Sequence, residues 1–176
     1  MTDPVSATPS PAAAPPAPVH VLLVGDGPVT AALAPMVEAA GWTATVATDL
    51  AAVADTLPES DAVVVLSHHE DVDSAAILAA LEAETPYVGA MGSRRTQERR
   101  RAWLVDQGVG EDLLARLHAP VGLDIGADEP GEIAVSVLAE IVAVRRGAAG
   151  QVGSISDRAG AIHPDLGPGE AYCPGG

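Results

Sequence analysis

Five short apolar runs recur along the chain, and their continuity restricts the fold more than any other feature. They are "VHVLLVG" (residues 19–25), "TATVAT" (43–48), "AVVVLS" (62–67), "YVGAMG" (87–92) and "LHAPVG" (117–122). A strand with one wet face alternates apolar and polar residues, whereas a strand covered on both faces is apolar at almost every position. Helical patterns separate most of these runs. The alternation predicts a three-layer α/β, Rossmann-like domain: a mostly parallel sheet of about five or six strands with helices on both sides.

The helices have readable ends. Pro28 suits the first position of a helix carrying Val29, Leu33, Met36, Val37 and Ala40 at helical spacing, and Gly41 suits its end; Pro35 inside it predicts a kink. Asp73 is expected to cap a helix over 74–81, and Ser93 to cap the next one. The last helix, over 130–146, is apolar on nearly every side, which predicts deep burial or packing on a second copy, and a homodimer is expected. Residues 1–18 are crowded with Pro and Ala and read as a disordered arm. Residues 148–176, rich in Gly and Pro, read as a flexible tail, which leaves 19–147 as the folded domain.

Charge narrows the function. The formal net charge is -15, lysine is absent, and Phe is absent, with two Trp and two Tyr as the whole aromatic set. Nucleic acid and anionic membranes are bound chiefly through Lys and Arg, and single-stranded readers also need aromatic platforms, so neither partner is expected. One cysteine, Cys173, allows no internal disulfide and fits a reducing cytoplasm. No signal peptide and no membrane-spanning run is read.

Two stretches hold candidate ligand chemistry. The first run ends in "GDGPVTAAL", where Gly25, Gly27 and Thr30 stand at the positions of a G-x-G-x-x-G dinucleotide fingerprint. Glycine is wanted for the tight turn, for backbone approach to a pyrophosphate and for helix packing. Thr30 replaces the packing glycine, Pro28 removes a donor, and Asp26 adds negative charge. Asp49, 24 residues after Gly25, could accept from a ribose hydroxyl or cap a helix. The second stretch is "GSRRTQERRR", with five of the nine arginines within residues 94–101. Gly92 and Ser93 close a strand, so Arg94 and Arg95 fall in a first helical turn, where positive charge opposes the helix dipole. That local misfit marks them as candidates for an anion site, while Arg99, Arg100 and Arg101 read as a solvated or partner-facing surface.

His68, in "SHHEDVD", is a candidate in a polar loop at the ligand edge; the adjacent histidines point opposite ways on an extended backbone, so no metal site is nominated. His118 reads as a core histidine. Asp124, between Gly122 and Gly126, falls at the same sheet edge and is a further candidate. No catalytic residue is nominated.

"YVGAMGSRRTQERR", "HAPVGLDIGADEPGEIAVSVLAEIVAVRRG" and the earlier "SHHEDVD" together resemble the C-terminal Rossmann-like domain of the XdhC/CoxI family, accessory proteins of xanthine dehydrogenase and carbon monoxide dehydrogenase. The resemblance is close over 63–147 and weaker back to residue 19. It implies a maturation factor or chaperone for molybdenum hydroxylases, binding molybdenum cofactor (molybdopterin) and serving a molybdenum hydroxylase apoenzyme. Members commonly carry a cysteine-bearing N-terminal domain, here expected from a separate XdhC N-terminal-domain protein. The residues alone leave two other readings open: an NAD(P)-binding oxidoreductase, and a non-catalytic Rossmann module that binds a partner protein.

Overall fold

The computed structural model describes residues 19–67, 70–150 and 152. The two terminal segments read above as arm and tail, and His68, lie almost wholly outside these. Five strands form one all-parallel sheet: β1 (His20–Val24), β2 (Thr43–Ala47), β3 (Ala62–Val65), β4 (Tyr87–Ala90) and β5 (Leu117–His118), in the order β2-β1-β3-β4-β5. Six helices connect or follow them: α1 (Pro28–Ala39), α2 (Leu50–Thr56), α3 (Glu70–Glu82), α4 (Arg94–Asp106), α5 (Glu111–Leu114) and α6 (Pro130–Arg145).

The strand alternation splits the core in two. Leu22, Val24, Val63, Val65 and Val88 point to the side covered by α2, α3, α4 and α5, where they meet Val53, Ile77, Leu81 and Leu104. Val21, Leu23, Val64 and Tyr87 point the other way, onto Leu33 and Val37 of α1 and Val137 and Ile141 of α6. Successive side chains of a strand face opposite sides, so a run that is apolar throughout feeds both layers. β1 and β3 are almost wholly inaccessible for this reason.

Local chemistry sets the element ends. Pro28 opens α1 and Gly41 follows it at φ 77°, as read from the sequence. The helix runs through Pro35 as one element from Pro28 to Ala39, with Pro35 on its exposed side. β5 is shorter than its apolar run: Pro120 has no N–H for the ladder, and pairing resumes only as Val121 N–H donates to the Ala90 carbonyl at 3.0 Å. Asp73 is not a cap. α3 begins three residues earlier, at Glu70, which places Asp73 inside the helix and fully buried. α6 is mixed rather than uniformly covered: Val137 and Ile141 are buried while Val135 and Val142 face outward.

Candidate functional site

The sheet order reverses between β1 and β3, and in open α/β sheets the crevice beyond the strand ends at such a point is where ligands sit. The β1 end carries the glycine turn. Gly25 has φ 106°, and a Cβ there would lie 2.6 Å from Ser67 Cβ, so only glycine lets the turn pass the end of β3. Its N–H donates to the Ala47 carbonyl at 2.8 Å. Gly27 caps α1 and has open space where a Cβ would stand, and Thr30, at the third fingerprint position, is buried with its hydroxyl lacking a partner. Asp49 serves α2 as N-cap, its Oδ1 accepting from Ala52 N–H at 2.9 Å.

The β4 end leads into the arginine run. Gly92 takes φ 139° and Ser93 caps α4, its hydroxyl accepting from Thr96 N–H at 3.2 Å. The helix then divides its arginines. Arg94, Gln97 and Arg101 line a cleft of about 440 Å³ with Leu117 and Pro120. Ser93, Thr96, Arg99 and Arg100 line another, of about 340 Å³, together with Met91. Arg95 is exposed and lines neither cleft.

Arg100 departs from the sequence expectation of a solvated residue. It is 5% exposed, its Nη2 is 2.6 Å from Asp73 Oδ2, and its Nη1 donates to the Met91 carbonyl at 2.5 Å. Asp73 also accepts from the Ser67 hydroxyl. A charge this deep persists only when paired and hydrogen-bonded, and the chain Ser67–Asp73–Arg100 meets that condition except at the guanidinium Nε, which is buried without a partner. The group ties the ends of β3 and β4 to α3 and α4, and Gln97 adds a bond to the Ala90 carbonyl at 3.1 Å. The signal was in the sequence: Gln97, Arg100 and Leu104 share a face, and Leu104 is core.

A second polar cluster stands behind β5. Tyr87 Oη donates to Glu140 Oε2 at 2.6 Å, Gly122 N–H donates to the same oxygen at 2.9 Å, and His118 Nδ1 is 3.5 Å from Oε1. The Tyr87 and His118 rings stack at 4.7 Å. Burial, reinforced by the Glu140 hydrogen bond and charge, pushes the Tyr87 phenol far above its ordinary range. Burial raises the Glu140 carboxyl, but the bonds from His118, Tyr87 and Gly122 outweigh it and hold the group below its usual value. His118 is half-buried rather than a core residue. Asp124 is exposed in the loop before α6. Among the described residues no three His, Cys, Asp or Glu side chains gather as a metal site, and no helix is long and apolar enough to cross a membrane.

The family model described as the XdhC Rossmann domain matches residues 21–141. The chain belongs to the XdhC Rossmann domain family. Curated proteins of known kinship overlap the same stretch. The molybdenum cofactor insertion chaperone PaoD of Escherichia coli (strain K12) is 31% identical over 128 residues, 72% of this chain and 40% of that protein. A probable xanthine dehydrogenase subunit from Bacillus subtilis (strain 168) is 37% identical over 86 residues, 49% of this chain and 24% of that protein. Among solved structures, a xanthine dehydrogenase from Bacillus halodurans superposes with a TM-score of 0.59 at 25% identity, covering 74% of this chain and 43% of that one. This XdhC domain thus spans less than half the length of each of these relatives.

Proposed function

We propose that this domain binds a phosphate-bearing cofactor, molybdenum cofactor, at the carboxyl edge of its sheet, and takes part in the maturation of a molybdenum hydroxylase. The observation that carries the reading is the start of α4: a capped helix N-terminus with Arg95 in its first turn and Arg99 and the buried Arg100 lining the cleft beside Ser93, in a protein otherwise strongly acidic. The first-turn N–H groups of Arg94 and Arg95 have no intrahelical acceptor and suit a phosphate oxygen. The partner-free Nε of Arg100 makes the donor set chemically right for an oxyanion. Kinship with a chaperone named for molybdenum cofactor insertion supports the same ligand. Ser93, Arg95 and Arg99 would hold the phosphate, with Gly25 and Gly27 across the crevice and Asp124 as a further contact. The apoenzyme of a molybdenum hydroxylase, and a chain supplying an XdhC N-terminal domain, are the partners this role requires.

The NAD(P) reading is less well supported, since Asp49 is engaged in capping α2 and Asp26 and Pro28 make the glycine turn a poor pyrophosphate seat. Titration of the purified protein with molybdenum cofactor tests the proposal. Binding weakened at least tenfold in Arg95→Ala/Arg99→Ala, and less in Arg94→Ala, is expected; no binding by the wild type, or equal binding by the double variant, overturns it.

A further inference from the structure

Met91 lines two clefts of unlike chemistry. On one side, about 230 Å³ is lined by Pro28, Val29 and Leu66, with Asp26 and Ser67 as its polar residues. On the other stands the arginine-bearing cleft at the start of α4. The first volume is below the roughly 300–1,000 Å³ of a site enclosing a whole small ligand, so it suits one end of a longer molecule.

The glycine turn makes that end specific. A turn that takes a pyrophosphate offers backbone N–H groups and positive potential. Here the first helical residue is Pro28, which has no N–H, and the exposed Asp26 carboxylate repels phosphate. A carboxylate beside an apolar slot instead selects a flat ring with two adjacent N–H donors, because its two oxygens accept a matched pair. The 2-amino-4-oxopyrimidine edge of guanine or of a pterin has that pair. Adenine sets a ring-nitrogen lone pair beside its amine, and that lone pair would face the carboxylate.

Resting on the reading that a cofactor binds at this sheet edge, we infer that the ligand lies across Met91, its 2-amino-4-oxopyrimidine ring against Asp26 and its oxyanion end at the start of α4. The orientation is the reverse of a fingerprint that seats phosphate on the glycine turn.

Calorimetric titration of the full chain with guanosine, inosine and adenosine 5′-monophosphates tests this, inosine monophosphate lacking only the 2-amino donor. The guanine nucleotide is expected to bind roughly tenfold or more tightly than the other two, a loss typical of a hydrogen bond to a charged group. Asp26→Asn, at an exposed position, is expected to keep the melting temperature and abolish the preference. Neopterin, a pterin without phosphate, is expected to bind the wild type and to lose binding in Asp26→Asn. Equal binding of guanosine and inosine monophosphates, no binding of the former, or tighter adenosine monophosphate binding in Asp26→Asn overturns the inference. Failure of molybdenum cofactor to bind while the guanine preference persists removes the proposed maturation role and leaves the ring assignment standing.

Discussion

Asp73 and Arg100, 27 residues apart in sequence, meet at 2.6 Å with the carboxylate fully inaccessible and the guanidinium side chain 6% exposed. Neighbouring Arg101 also finds a carboxylate, Glu111, but both of those groups stand in water. The two pairs look alike in a contact map and differ in consequence.

Breaking the buried pair from one side leaves an uncompensated charge, so Asp73→Ala or Arg100→Ala is expected to cost about 3–5 kcal/mol. Arg101→Ala is expected to cost less than about 1 kcal/mol. Urea unfolding of the three variants measures the contrast, and a small effect at Arg100 would refute the structural role assigned to it.

Glu140 sets a pH dependence. Its carboxyl titrates lower in the folded chain than its ordinary 4.5, so the unfolded state binds the proton first as pH falls. The stabilisation is therefore present above about pH 4.5 and is lost as pH drops through the folded value. Glu140→Gln should flatten the decline of melting temperature in that acid window; an unchanged acid limb would show that other carboxylates govern it.

The two glycines of the β1 turn should respond differently. Gly25→Ala meets Ser67 at 2.6 Å and needs a positive φ, a combination expected to cost upwards of about 1–3 kcal/mol. Gly27→Ala meets open space, and its φ of -69° suits any residue. Thermal melts should rank Gly25→Ala well below both Gly27→Ala and the wild type.

Asp49 and Ser93 both cap helices, and loss of either hydroxyl or carboxylate acceptor is expected to cost about 1 kcal/mol. If Asp49 acts only as a cap, Asp49→Ser should restore stability and leave cofactor titration unchanged. A binding defect in the restored variant would return a ligand role to Asp49.

The strands were legible because burial on both faces writes itself as unbroken apolar sequence, and β1 through β4 stand where those runs stand. The apolar run overstates β5, since apolarity does not report that Pro120 lacks a donor. Helix ends at Pro28, Gly41 and Ser93 were legible for the same local reason that makes them work. Asp73 was not: an aspartate ahead of an apolar run suits a cap, and only the distant Arg100 explains it inside a helix. Arg94 and Arg95 look like a unit in the sequence, yet 100° of helical rotation separates neighbours, and Arg94 lines the cleft of Arg101 rather than that of Arg99. The Tyr87–Glu140 bond joins residues 53 apart, beyond the reach of any local pattern.

The layer over Val21, Leu23 and Val64 is closed by α1 and α6, the first and last helices of the described chain, packed on each other. As the ribosome extends the polypeptide from its N-terminus, β1 and α1 emerge more than a hundred residues before Ile141. That layer therefore stays only partly closed until the final helix arrives, and a transcript truncated before residue 130 would yield a product with one greasy sheet face half covered by α1, a substrate for chaperones and proteases rather than a smaller working domain.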